Sequence, residues 1–326
     1  MLRNIKHINV VIKDFDRSMD FYVKTLGMRC VHGPFAAIGR QMATAFGITN
    51  TNTEVPNAVD VAAFLRWSDD DDDAVVDLGW WQRPPSEGRP YASINNVGHQ
   101  RIALKVRGVD RVYEDLRAKG VNFNTPPVTL DLGQPVRLCC FDDPDGVHLA
   151  LLELGQTNAS DPGFERIAYV STCVRDLDKS LKLYRDVLGM ELVLGPFALN
   201  GPELAVFAIQ PSGNVQARGV WLRPGGGDYA LVELMEWIQP PSTGAPYALT
   251  TPTGGSFANH TGIPRVAFSV KDIQKVYKTI ADMGMRFISP PQVTDIGPDV
   301  AYCCFTNLDG TILQLYEYVR GTEREH

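Results

Sequence analysis

The chain has 326 residues, 44% of them apolar, and a formal net charge of −7. Such a length predicts about two domains with ordinary cores. The acidic balance excludes a basic nucleic-acid footprint, no apolar run reaches the roughly 18 residues of a membrane span, and the N-terminus lacks the apolar segment of a secretory signal, so a cytoplasmic protein is expected.

In chain order, His7–Ile12 alternates. Ile8, Val10 and Ile12 fall on one side and His7, Asn9 and Val11 on the other, as on a strand with one covered face. A helix follows, with Met19, Tyr22, Val23 and Leu26 at helical spacing and Gly27 as its stop. Gly39–Pro56 is an insertion-like loop of small polar residues, a candidate cover for a ligand. Strand-like runs come at Ala62–Trp67 and Val75–Trp80. Between them, Ser68–Asp73 is acidic but lacks the spaced ligands of a calcium loop, and it reads as a solvated hairpin tip. QRPPSEGRPY, residues 82–91, reads as an arm joining paired modules or as a lid. The order then restarts. Arg101–Val106 alternates, Val109–Lys119 is helical with Gly120 as its stop, and strands follow near Val136–Phe141 and Val147–Leu152.

The second half repeats the first. Ala74–Tyr91 and Ala230–Tyr247 agree at ten of eighteen positions, too many for two unrelated segments. Asp14–Met28 is echoed by Asp176–Met190, and Cys139–Gly146 by Cys303–Gly310. The chain is therefore a duplicated unit that is itself doubled. The expected architecture is α+β: four βαβββ modules paired into two domains, each a curved mixed sheet forming a cup with helices outside. The domains are expected at 1–155 and 164–320, with a linker at 156–163. Short connections favour pairing between neighbouring modules; pairing of module one with module four is the alternative. Six cysteines without a CxxC read as buried, reduced thiols. His32, His99 and His260 fall in expected loops and carry no predicted chemistry.

The stretches IKHINVVIKDFDRSMDFYVKTLGM, GHQRIALKV and FDDPDGVHLALLEL, each echoed in the second half, resemble the vicinal oxygen chelate superfamily. That family includes glyoxalase I, extradiol dioxygenases, methylmalonyl-CoA epimerase and metal-free drug-binding proteins such as the bleomycin resistance protein. The resemblance implies metal-ligand positions at His7, Asp77, Arg101 and Ala150 in the first half, and at Tyr169, Glu233, Arg265 and Gln314 in the second. The family pattern places histidine where Arg101 and Arg265 stand, and glutamate where Ala150 and Gln314 stand. Arginine has no lone pair to give a metal, and a catalytic metal needs about three protein ligands. No metal ligand is therefore assigned and no cofactor is implied; a divalent metal is disfavoured. The two arginines are expected either to hold an anionic ligand or to form internal salt bridges, Arg101 with Asp77 and Arg265 with Glu233.

Expected catalytic residues are His7, Asp77, Tyr169 and Glu233. Expected substrate contacts are Arg101, Arg265, Gln314, His148, Trp81 and Trp237. Glu233, Tyr169, Arg265 and Gln314 together read as an acid/base set, and His148 as a partner for His7. Three functions follow as expectations. The first is a proton-transferring isomerase or lyase acting on an oxygenated or anionic metabolite. The second is a binder that sequesters a small aromatic compound. The third is a divergent metal-dependent ring-cleaving dioxygenase. The expected partner is a small molecule, and the protein is expected as a monomer or homodimer.

Overall fold

A computed structural model describes residues 1–48, 58–155, 161–209, 214–247, 257–293 and 300–318. Module one runs β1 (Leu2–Val11), α1 (Phe15–Met19), β2 (Arg29–Gly39), α2 (Arg40–Ala45), β3 (Ala58–Arg66) and β4 (Val75–Arg83). Module two runs β5 (Gly98–Arg107), α3 (Val109–Ala118), β6 (Val128–Asp131), β7 (Pro135–Asp142) and β8 (His148–Leu154). Module three runs β9 (Gly163–Cys173), α4 (Leu177–Lys182), β10 (Glu191–Asn200), β11 (Gln216–Arg223) and β12 (Leu231–Gln239). Module four runs β13 (Gly262–Val270), α5 (Ile273–Asp282), β14 (Gln292–Val293), β15 (Val300–Thr306) and β16 (Ile312–Tyr318).

The first helix starts where Asp14 accepts a hydrogen bond from the Arg17 amide, and Asp176 does the same for Lys179 in the repeat. Both helices then widen into a π-helical turn, at Asp20–Thr25 and Leu183–Val187. Gly27, at φ +75°, ends the first, as the sequence predicts.

The sixteen strands form two eight-stranded mixed sheets, ordered β14-β15-β16-β13-β1-β4-β3-β2 and β10-β11-β12-β9-β5-β8-β7-β6. Module one therefore shares a sheet with module four, and module two with module three. The expectation of neighbour pairing is corrected: the exchanged arrangement is the one formed. The two seams are antiparallel, β1 on β13 and β5 on β9. The arms at 82–91 and 239–247 carry the chain from one sheet to the other, and Tyr91 stacks on Tyr247 with ring centres 4.4 Å apart.

One continuous core lies on the helix-facing sides of both sheets, holding Ile8, Val10, Ile102, Leu104, Val170 and Val266. The opposite faces curve into two cups, each filled by its own apolar cluster. In the first cup, Met42 of α2 and the adjoining Phe46 are part of the filling. In the second, the short 3₁₀ helix Pro202–Phe207 takes that place with Leu204, Val206 and Phe207. The predicted cover at Gly39–Pro56 thus holds a helix, and its residues 49–56 lie outside the described residues. Five cysteines are buried and free as expected; Cys30 is exposed. Among the described residues no helix is long and apolar enough to cross a membrane.

Candidate functional site

Pairing of the modules decides which side chains meet. On β1, His7 and Asn9 point into the first cup, and Asn9 lies beside Asp77 of β4 and Arg265 of β13. Arg265 Nη1 donates to Asn9 Oδ1 at 2.7 Å, its Nε to Gln314 Oε1 at 2.9 Å, and its Nη2 reaches Asp77 Oδ2 at 3.5 Å. Asn9 Nδ2 donates to the same Asp77 oxygen at 3.0 Å. His7 Nε2 lies 3.8 Å from it. The Phe46 ring covers the guanidinium at 4.4 Å.

Asp60, on β3, joins this cup from the far side of Gly79. A Cβ at Gly79 would come within 3.2 Å of Asp60 Oδ1 and 3.3 Å of Asn9 Nδ2, so the glycine leaves room for both. Burial, with the neighbouring Asp77 charge, pushes the Asp60 carboxyl up to about 8. Burial also raises Asp77, against the pull of Arg265 and Asn9. Burial and the Arg265 charge lower His7 to about 3, so its imidazole is neutral at ordinary pH. Asp60 and Asn9 were not among the predicted site residues. The available signal was an acid at an inward position of an otherwise apolar alternating run, Ala58–Phe64.

The second cup repeats the plan with different chemistry. Arg101 Nη2 donates to Glu233 Oε2 at 2.8 Å and to the Tyr169 hydroxyl at 3.2 Å. Trp221 Nε1 donates to the other Glu233 oxygen at 3.0 Å. The Phe207 ring covers Arg101 at 4.7 Å, as Phe46 covers Arg265. Burial, chiefly, raises the Tyr169 phenol well above its ordinary range.

Several expectations are corrected by this geometry. The ion pairs exist with partners exchanged: Arg101 meets Glu233, and Arg265 meets Asp77. The predicted set Glu233, Tyr169, Arg265 and Gln314 is divided, with Glu233 and Tyr169 in one cup and Arg265 and Gln314 in the other. His148 is on β8 in the second cup, bonded to Asp142 Oδ1 at 2.7 Å and to the Tyr91 carbonyl at 2.9 Å, so it does not partner His7. Trp81 and Trp237 do line the cups, packed edge-on against Phe46 and Phe207. His99 is not in a loop; it is buried on β5 and joins the sheets, bonding Thr172 Oγ1 and the Ile312 carbonyl, each at 2.9 Å. His32 likewise lies in a strand, β2, and His260 stacks on Tyr247 at 4.0 Å.

The family's ligand positions now fall as His7, Asp77, Arg265 and Gln314 in the first cup, and Tyr169, Glu233, Arg101 and Ala150 in the second. These donor sets do not fit a divalent metal. In each cup a guanidinium is bonded into the space between the remaining ligands, and it is both cationic and without a lone pair. Among the described residues no three His, Cys, Asp or Glu side chains gather as a metal group.

The family model of the glyoxalase/bleomycin resistance protein/dioxygenase superfamily matches residues 4–151 and 166–315. A lactoylglutathione lyase of Arabidopsis thaliana is 26% identical over 191 residues, covering 59% of this chain and 56% of that protein. A probable chloroplastic lactoylglutathione lyase of the same plant matches to the same identity over 45% of its length. The chain thus spans about half the length of the curated relatives it matches. An uncharacterized Bacillus subtilis protein is 26% identical over 154 residues, 98% of its own length. Among solved structures, glyoxalase I from Zea mays superposes with a TM-score of 0.62 at 17% identity, over 97% of this chain and 92% of that one.

Proposed function

Because the chain belongs to the glyoxalase/bleomycin resistance protein/dioxygenase superfamily, we propose that it is a small-molecule enzyme of lyase or isomerase type. In this reading it moves a proton on an oxygenated, anionic metabolite in the cup of modules one and four. One observation carries the reading. His7 Nε2, Asp60 Oδ1, Asp77 Oδ1 and Trp81 Nε1 are all buried without a hydrogen-bond partner, and the strand registers turn them to the same concave face. Each such atom costs about 1–3 kcal/mol. A fold retains several together where a bound molecule completes them.

The roles follow from the environments. Asp77 has one oxygen held by Asn9 and Arg265 and the other free, so Asp77 Oδ1 is the acceptor for a carbon-bound proton. Asp60 is mostly protonated near neutral pH and donates to the substrate oxygen as negative charge develops there. In an isomerisation Asp77 returns its proton to the neighbouring carbon while Asp60 takes back a proton from the enediol; in an elimination a group leaves the neighbouring carbon with its electron pair, Asp60 takes back its proton as the carbonyl re-forms, and the proton on Asp77 goes to the leaving group. Neutral His7 binds and orients the substrate through Nε2, and Arg265 supplies the positive field for an anion. Glu233 and Tyr169 hold Arg101 in the other cup. The likeness to the lactoylglutathione lyases of Arabidopsis supports the lyase class. The ring-cleaving reading is set aside because the donors do not fit its metal.

The test is proton exchange. Small 2-oxo and 2-hydroxy acids are incubated with the protein in D₂O and followed by NMR. Wild type is expected to exchange the carbon-bound proton beside the carbonyl. Asp77→Asn, folded by circular dichroism, is expected to be slower by about 10²–10⁴-fold, the usual share of a general base. Unchanged exchange in that variant refutes the assignment. Saturable binding with no exchange, weakened in Asp77→Asn, identifies a sequestering first cup instead.

A further inference from the structure

The second cup holds an open cavity of about 90 Å³, lined by Arg101, Ser93, Asn124, Cys140, His148 and Phe207 among others. A cavity of about 10–15 Å³ already admits one water, so this one has room for several waters or one compact organic molecule. Its wall contains a guanidinium that is 2% exposed. Two donors of this cup, Arg101 Nε and Trp237 Nε1, are buried with no acceptor. Trp237 packs against Phe207, which itself lines the cavity.

The carboxylates of this cup already carry hydrogen bonds. Glu233 gives one oxygen to Arg101 Nη2 and the other to Trp221 Nε1. Asp142, at the cavity rim, is bonded to His148 Nδ1 at 2.7 Å. The unmet demand in this cup is therefore for an acceptor. The first cup differs, with unmet carboxylate oxygens beside an unmet indole N–H. The two cups of one duplicated scaffold thus differ in their unmet groups: donors alone in the second, carboxylate oxygens and a donor together in the first.

We propose that the cup of modules two and three is a binding site for a small carboxylate anion, held by Arg101, separate from the reaction assigned to the first cup. A carboxylate matches a guanidinium edge in shape and charge. Phe207, stacked on the guanidinium, screens the pair from water and strengthens it. With both Glu233 oxygens engaged and the Tyr169 phenol held protonated, the site binds without turning over.

Sodium acetate is the probe, with sodium chloride at matched ionic strength as the reference. Calorimetric titration is expected to give saturable binding in the millimolar range, and acetate is expected to raise the melting temperature beyond chloride. Arg101→Met/Glu233→Gln removes both charges together and is expected to weaken acetate by about tenfold or more. Cys140→Met fills the cavity, leaves the ion pair alone, and is expected to abolish binding even if the double variant fails to fold. Arg265→Met/Asp77→Asn, the matching change in the other cup, removes both charges there together and is expected to bind acetate as wild type does. No acetate effect beyond chloride overturns the proposal. So does wild-type affinity in Cys140→Met, or loss of binding in the Arg265/Asp77 variant alone; the last places the anion in the first cup and leaves the reaction assigned there open to its own test.

Discussion

Arg101 Nη2 lies 2.8 Å from Glu233 Oε2, with both side chains buried and a single strand, β9, between theirs. A buried pair of this kind adds little net stability when complete, because desolvation offsets attraction. Losing one partner is another matter, since the survivor is then an uncompensated buried charge. Arg101→Met is expected to cost about 3–5 kcal/mol in urea unfolding, and Glu233→Gln added to it to recover most of that. Costs that simply add across the two changes would mean that the pair does not act as a unit.

Asp143 and Asn307 occupy equivalent turns, and they form an internal control for pH. Asp143 Oδ1 accepts from the Asp145 and Val147 amides, and its Oδ2 accepts from Tyr22 at 3.0 Å. Asn307 makes the same amide bonds and meets Tyr184 at 3.4 Å. Burial is the main cause that raises Asp143 to about 7. An acid raised on folding contributes stability that is full below its unfolded value, about 4, and is lost as pH rises to about 7. Asp143→Asn is therefore expected to stabilise the protein at pH 8, with the gain shrinking to nothing by about pH 4. Thermal melts of both proteins across that range check it, and a gain that is the same at both ends counts against the cause given.

His99 titrates in the opposite sense. It is buried, bonded to Thr172 in its own sheet and to the Ile312 carbonyl in the other, and burial lowers it to about 4. A histidine lowered on folding contributes stability above its unfolded value, about 6.5, which is lost as pH falls toward 4. His99→Gln keeps one polar contact and removes the titration. It is expected to flatten the loss of stability between pH 6.5 and 4, measured by urea unfolding, while lowering stability at pH 8 by about 1 kcal/mol for the missing bond.

Proton transfer in the first cup carries its own pH signature. Asp60 must be protonated to donate, and its carboxyl lies at about 8. Turnover is expected to fall above about pH 8, and Asp60→Asn, which still donates but cannot titrate, to lose that alkaline limb. A limb that persists in the variant assigns the titration to another group.

Much of this was legible in the residues, and the part that was not has a physical cause. The duplication, the strand order within each module and the guanidinium in each cup all follow from local pattern. Partner choice between modules does not. The lead strands β1, β5, β9 and β13 share one alternation, so an antiparallel seam satisfies the same apolar faces whether module one takes module two or module four. Connection length suggested neighbours. The arms instead cross at the Tyr91–Tyr247 stack, and Glu87 and Asn96 bridge to His260 and Thr243, contacts that only the assembled chain defines. Once the partner was exchanged, so were the ion pairs and the set around Glu233. Asp60 escaped for a different reason. A lone acid in an apolar strand has no spacing signature, and its role comes from Gly79 across the sheet.

The same exchange of partners makes the first cup's fit to a divalent metal a matter of two side chains. In the first cup His7 and Asp77 stand at ligand positions already, with His7 Nε2 free of partners and 3.8 Å from Asp77 Oδ2. Arg265 fills the space between them and Gln314. Arg265→His/Gln314→Glu removes the positive charge and supplies a nitrogen and a carboxylate, giving two histidines and two acids. Four such donors meet the ligand count of a divalent site. The variant is expected to take up about one zinc or nickel ion per chain by elemental analysis after dialysis, and its melting temperature to rise with the metal and fall with a chelator. Arg101→His/Ala150→Glu in the second cup supplies only Glu233 and a raised tyrosine as companions, and is expected to bind the ion more weakly. Equal uptake in the two variants, or none in the first, would show that the guanidinium is not what keeps the ion out.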